Sequence, residues 1–123
     1  MNSITTILVV DDSRVSRMMS RAFILNKYPD WKIEEAGTGE EAIEKMGRIA
    51  PALVLMDVNM PGMGGIAAAE ILREQYPSMR IALQTANIQD AIRNKAAAIG
   101  ASFLEKPINE ARIHKLLVDL GVG

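Results

Sequence analysis

Leu53-Val54-Leu55-Met56-Asp57-Val58-Asn59-Met60-Pro61-Gly62-Met63-Gly64-Gly65 carries the decisive pattern of the chain. The apolar run Leu53 to Met56 suits a strand buried on both faces, the habit of parallel sheets. It stops at a carboxylate, Asp57, and Asn59-Met60-Pro61-Gly62 reads as a loop. After Gly64-Gly65, the residues Ile66, Ala69, Ile71 and Leu72 line a helix. The stretch is one strand–loop–helix unit with an acidic strand end.

The same unit recurs on both sides. Upstream, Ile7 to Val10 is an apolar run ending in Asp11-Asp12, and Val15, Met18, Met19, Ala22 and Leu25 then recur at helical spacing until Pro29. Trp31 opens a second strand, Lys32 to Ala36, and reads as a packing residue. Thr38-Gly39 marks a turn, and Glu40 to Met46 reads as a short helix with acidic residues in its first turn. Downstream, Arg80 to Gln84 forms a fourth strand ending at Thr85. Ile88, Ala91, Ile92, Ala96 and Ile99 give one face of a helix closed by Gly100. Ser102 to Leu104 is a fifth strand, broken by Lys106-Pro107, and Ile113, Leu116, Leu117 and Leu120 mark a last helix. Five strands alternating with five helices predict an α/β fold. Its parallel sheet is doubly wound, with helices on both faces and right-handed crossovers, in a single domain over 1–123.

Composition narrows the function. At 123 residues, 49% hydrophobic and 24% charged, the chain has the make-up of one globular domain. It has no cysteine, which excludes disulfides, zinc-thiolate sites and thiol nucleophiles. The net charge of -1 and scattered basic residues argue against direct nucleic-acid binding. Met1 to Thr6 is short and polar, unlike a signal peptide, and no apolar run approaches the roughly 20 residues that span a bilayer. A cytoplasmic location is the default expectation. Of the eight methionines, Met18, Met19 and Met56 read as core filler. His114, the single histidine, reads as a surface residue.

In open parallel sheets, ligands bind beyond the carboxyl ends of the strands. Here those ends bear Asp11-Asp12, Asp57, Thr85 and Lys106, which are three carboxylates, a hydroxyl and an ammonium. Crowded carboxylates raise one another's pKa, and a cation relieves the repulsion. Oxygen donors without histidine or cysteine point to magnesium, which retains waters and shares its shell with phosphate. An aspartate can attack phosphorus and become an aspartyl phosphate, with metal and lysine neutralising the transferred charge.

With these residues in this order, the sequence resembles the receiver domains of two-component response regulators, over essentially its whole length. The marks are Val10-Asp11-Asp12, Met56 to Gly65 as quoted above, Thr85-Ala86 and Lys106-Pro107. The resemblance implies the flavodoxin-like strand order 2-1-3-4-5. It implies Asp57 as phosphoacceptor, and Asp12, Asp57 and the Asn59 carbonyl as direct magnesium ligands, with Asp11 acting through a metal-bound water. Thr85 and Lys106 would each hold a phosphoryl oxygen, and Phe103 would turn inward on activation. It further implies a cis Lys106-Pro107 bond and a phosphohistidine donor on a histidine kinase or phosphotransfer protein. The output target would bind the face of the fourth helix, fifth strand and fifth helix, including Gln89, Arg93, Phe103 and Lys115.

Three positions depart from the family pattern. Gln84 stands where an apolar residue is usual, Gly64 where an aspartate usually caps the third helix, and Phe103 where many relatives have tyrosine. With no DNA-binding or enzymatic module after Gly121, a stand-alone switch of the chemotaxis type is expected, and a receiver cut from a larger transcriptional or enzymatic regulator is the alternative. An Asp-nucleophile phosphatase of the haloacid dehalogenase kind is disfavoured. Such enzymes need an Asp-x-Asp pair after the first strand, whereas Asp11 and Asp12 are adjacent. A flavodoxin is disfavoured because the phosphate loop rich in Ser, Thr and Gly is missing.

Overall fold

The apolar runs pair side by side, because strands without polar faces are stable only when covered on both sides. The computed structural model describes residues 5–86 and 89–122. Along the chain run β1 (Thr6–Val10), α1 (Arg14–Lys27), β2 (Lys32–Ala36), α2 (Gly39–Ile49) and β3 (Leu53–Asp57). They are followed by α3 (Gly64–Gln75), β4 (Ile81–Thr85), α4 (Asp90–Ala98), β5 (Ser102–Glu105) and α5 (Glu110–Asp119). The five strands form one parallel sheet in the order β2-β1-β3-β4-β5, as expected. The element bounds shift by a residue or more: α2 extends to Ile49, and β4 takes in Thr85.

Side chains alternate across the sheet, and the strands feed two cores. Leu8, Val10, Val54, Met56, Ile81 and Leu83 meet α2, α3 and α4 through Ala42, Met46, Ala68, Leu72 and Ala96. Ile7, Val9, Leu53, Leu55, Ala82 and Leu104 meet α1 and α5 through Ile24, Ile113 and Leu117. Met56 is core, as its pattern predicts.

Met18 and Met19 are not. They are 56% and 46% exposed, and Val15 is 65% exposed. The helix turns a different stripe inward, with Ser20 and Ile24 buried and Phe23 and Tyr28 partly so. Periodicity found an apolar stripe on α1, but a second one carries the packing. His114 also departs from expectation. It is half-buried between helices, with Nε2 2.9 Å from the Phe23 carbonyl and its ring edge-on to Tyr28. Trp31 stacks on Tyr28 with centroids 3.9 Å apart, which bears out its packing role. On α4, Ala96 is buried but Ala91 is exposed, and Ile88 lies outside the described residues.

Candidate functional site

The carboxyl edge of the sheet gathers the polar groups because β1 and β3 are central and end at the same level. Asp57 is the last residue of β3 and is 4% exposed. Asp11 follows β1 and is 2% exposed, while Asp12 faces solvent. One carboxylate oxygen from each of Asp11, Asp12 and Asp57 lies within 4.8 Å of the others.

Asp11 is fixed at several atoms. Its N–H donates to the Ala36 carbonyl at 3.1 Å, and its Oδ1 accepts from the Ser13 N–H at 2.9 Å. Ser13 in turn caps α1, its hydroxyl accepting from the Ser16 N–H. Arg17 donates through Nη1 to the Asp11 carbonyl at 2.6 Å and through Nε to Glu35 on β2 at 2.9 Å. The guanidinium fork thereby ties the start of α1 to the ends of β1 and β2.

Lys106 comes from the opposite side. Its N–H donates to the Thr85 carbonyl at 2.9 Å, extending the β4–β5 ladder, and its bond to Pro107 is cis. Its Nζ stands 2.9 Å from Asp57 Oδ1 and 3.3 Å from Asp11 Oδ2. Thr85 is fully buried at the end of β4. Asn59 is exposed in the loop between β3 and α3. Phe103 is half-buried on β5, with the Arg93 guanidinium 5.6 Å above its ring. The residues anticipated for the centre, Asp11, Asp12, Asp57 and Lys106, are therefore brought together. Thr85 and Asn59 flank them, and Phe103 lies one strand further out.

Burial pushes the Asp57 carboxyl above its usual range. The Lys106 hydrogen bond opposes this, and the negative charges of Asp11 and Asp12 add to it. Burial alone would lower the Lys106 ammonium. The hydrogen bond and charge of Asp57, with help from Asp11, outweigh it and hold Lys106 above its ordinary value. One ammonium does not balance three carboxylates. The donors are all oxygen, which fits a hard divalent cation bound with part of its water shell.

Two residues that position the site, and a third that stands opposite Asp57 in the sheet, were not singled out for it by the sequence. Arg17 is one. Gly65 is another: its N–H donates to the Val58 carbonyl at 3.1 Å, and a Cβ there would stand 1.9 Å from the Asp57 carbonyl oxygen. The Gly64-Gly65 pair was visible, but the contact is not local. Gly64 itself has φ +78°, and α3 starts with no side-chain cap, in keeping with the absence of the usual aspartate. The third is Gln84, 1% exposed, whose Oε1 and Nε2 both lack a hydrogen-bond partner among the described residues. It was noticed as a departure, and its burial without partners is the observation that gives it weight.

Residues 7–118 match the family described as the response regulator receiver domain. The chain is 35% identical over 112 residues to the chemotaxis protein CheY of Thermotoga maritima, covering 90% of this chain and 92% of that one. It is also 35% identical over 108 residues to the probable transcriptional regulatory protein TcrX of Mycobacterium tuberculosis. That match covers 85% of this chain but only 44% of TcrX. Among solved structures, chemotaxis protein CheY4 of Vibrio cholerae superposes with a TM-score of 0.87 at 28% identity, over 96% of this chain and 99% of that one.

Proposed function

The chain belongs to the response regulator receiver domains, and from that premise we propose that it is a magnesium-dependent phosphorylation switch with Asp57 as acceptor. The observation that carries this reading is the grouping of a buried Asp57 with two further aspartates and the Lys106 ammonium at 2.9 Å. In this reading residues 1–123 act as one receiver unit that receives its phosphoryl group from a histidine kinase or a phosphotransfer protein. No helix among the described residues is long and apolar enough to cross a membrane.

Asp57 Oδ attacks the phosphorus of the donor, and the bond to the donor nitrogen breaks. Asp12, Asp57 and the Asn59 carbonyl would hold magnesium, with Asp11 beside them. The ion would supply positive charge for the oxygens of the transferring group. Lys106 exchanges its contact with Asp57 for one with a phosphoryl oxygen, and the Thr85 hydroxyl donates to another. The donor approaches over α1. Val15, Met18 and Met19 are exposed there, and Met19 helps line a groove of about 320 Å³ with Ser16, Ala86, Lys106, Pro107 and Ile108. An apolar surface running up to the acceptor is suited to docking a protein donor rather than a free small molecule.

The added group carries up to about two negative charges. Drawing Thr85 toward it makes room for Phe103 to turn inward from beneath Arg93. The face formed by α4, β5 and α5, with Gln89, Arg93, Phe103 and Lys115, is then what a target reads. Acetyl phosphate with magnesium is expected to add one phosphoryl group, seen as a single mass increment by intact-mass spectrometry. Asp57→Asn is expected to abolish it, and equal modification of that variant would overturn the assignment.

A further inference from the structure

We propose that Gln84 is a positioning residue for the acceptor and sets how long the phosphoryl group stays on Asp57. The inference rests on the reading of Asp57 as phosphoacceptor.

Gln84 stands directly opposite Asp57 in the β3–β4 ladder. Register partners in a parallel sheet share a face, about 4.8 Å apart. By alternation that face is the one bearing Leu55, Ala82 and Leu104, toward α1 and α5. Lys106 follows β5, yet its ammonium is 2.9 Å from Asp57 on β3. β4 lies between those strands, so Gln84 projects from the strand that the lysine stem spans. The amide is buried on the face that bears the Asp57–Lys106 pair, with neither polar atom partnered among the described residues. A buried primary amide without partners is costly and uncommon. Its two ends match the two charges of that pair. Nε2–H suits the Asp57 carboxylate, and Oε1 suits the third proton of the Lys106 ammonium. A rotation of the side chain engages them when Lys106 moves onto a phosphoryl oxygen.

Hydrolysis joins a water oxygen to phosphorus while the bond from phosphorus to Asp57 Oδ breaks. The electron pair returns to the carboxylate, and the proton of the water leaves with the phosphate or to solvent. A hydrogen bond from Nε2 is stronger to the departing carboxylate than to the acyl phosphate it came from. Gln84 thus favours loss of the phosphoryl group and shortens the signal.

Gln84→Met keeps the volume and removes both polar atoms. The test follows the decay of phosphorylated wild type and variant in magnesium by intact-mass spectrometry. The variant is expected to hold its phosphoryl group about fivefold longer, the ratio expected between a charged and a neutral hydrogen bond. Equal lifetimes, even with a raised melting temperature, would overturn the proposal and leave Gln84 a packing burden. Failure of wild type to accept any phosphoryl group would instead remove the reading of Asp57. Should Gln84→Met not fold, the wild-type side-chain amide proton signals of Gln84 decide. They are expected to shift when beryllofluoride and magnesium are added, and unmoved signals would overturn the proposal.

Discussion

The two ends of the sheet are built on opposite electrostatic terms. At the amino end, guanidinium groups meet backbone carbonyls. Arg73, in the last turn of α3, donates to the carbonyls of Met79 and Ile99 at 2.6 Å and of Pro77 at 2.9 Å, and Arg80 donates to Leu120 at 2.7 Å. The Met79 and Ile99 contacts are part-buried and satisfy acceptors that have less access to water, while the Pro77 and Leu120 contacts are exposed. At the carboxyl end, three carboxylates crowd a single ammonium. One end lowers the energy of the fold and the other holds it in a state that binding must relieve. The sheet thus separates stability from chemistry along the strand direction.

The largest expected effect breaks that division, because one backbone contact at the carboxyl end is structural. Gly65→Ala puts a Cβ 1.9 Å from the Asp57 carbonyl oxygen, and backbone on both sides must shift. A loss of about 3 kcal/mol is expected from urea denaturation, in line with severe overpacking. Arg73→Ala sharpens the comparison from the amino end. It should cost about 2 kcal/mol by the same measurement, since several carbonyls lose their donor, while acetyl phosphate labels Asp57 as in wild type. Loss of labelling in this folded variant would mean that the two ends are not independent.

The smallest effect runs in the opposite direction. The Asp57 carboxyl is raised above its ordinary 3.8 in the folded protein, so folding favours its protonated form. Below 3.8 that contribution is fully present, and it is lost as pH rises through the raised value. In chelator the melting temperature should therefore fall across that window, and Asp57→Asn should flatten the dependence and melt higher at neutral pH. Magnesium should then stabilise wild type more than the variant. An Asp57→Asn protein that melts lower than wild type in chelator would show that the Lys106 contact outweighs burial.

What could be read from the sequence follows from how local each signal is. Leu53 to Met56 and its counterparts announced buried parallel strands, and the residues that end them announced the site. Asp11, Asp12, Asp57 and Lys106 lie far apart in the chain, yet strand ends in a parallel sheet share one edge, so order alone placed them together. The strand order itself came through the family resemblance. The phase of α1 was not legible, because Val15, Met18 and Met19 form an apolar stripe as regular as the true one and only contact with α5 distinguishes them. Arg17 carried no local signal of its role, because its partners are the Asp11 carbonyl and the Glu35 carboxylate, brought in by two strands. His114 was misread for the same reason: its partner, the Phe23 carbonyl, is 91 residues away.

The seat of Gly65 against the end of β3 has a mechanical consequence. Backbone meets backbone there, with no side chain between to flex, and the Gly65 N–H is hydrogen-bonded to Val58. On this side Asp57 rests against a stiff abutment. A force generated at Asp57 has nowhere to travel through α3 and is returned toward β4. On that side the backbones are paired too, with the Val58 N–H donating to the Gln84 carbonyl at 2.9 Å, so the only compliance left to the site is in side chains such as Gln84 and Lys106, whose bonds rotate.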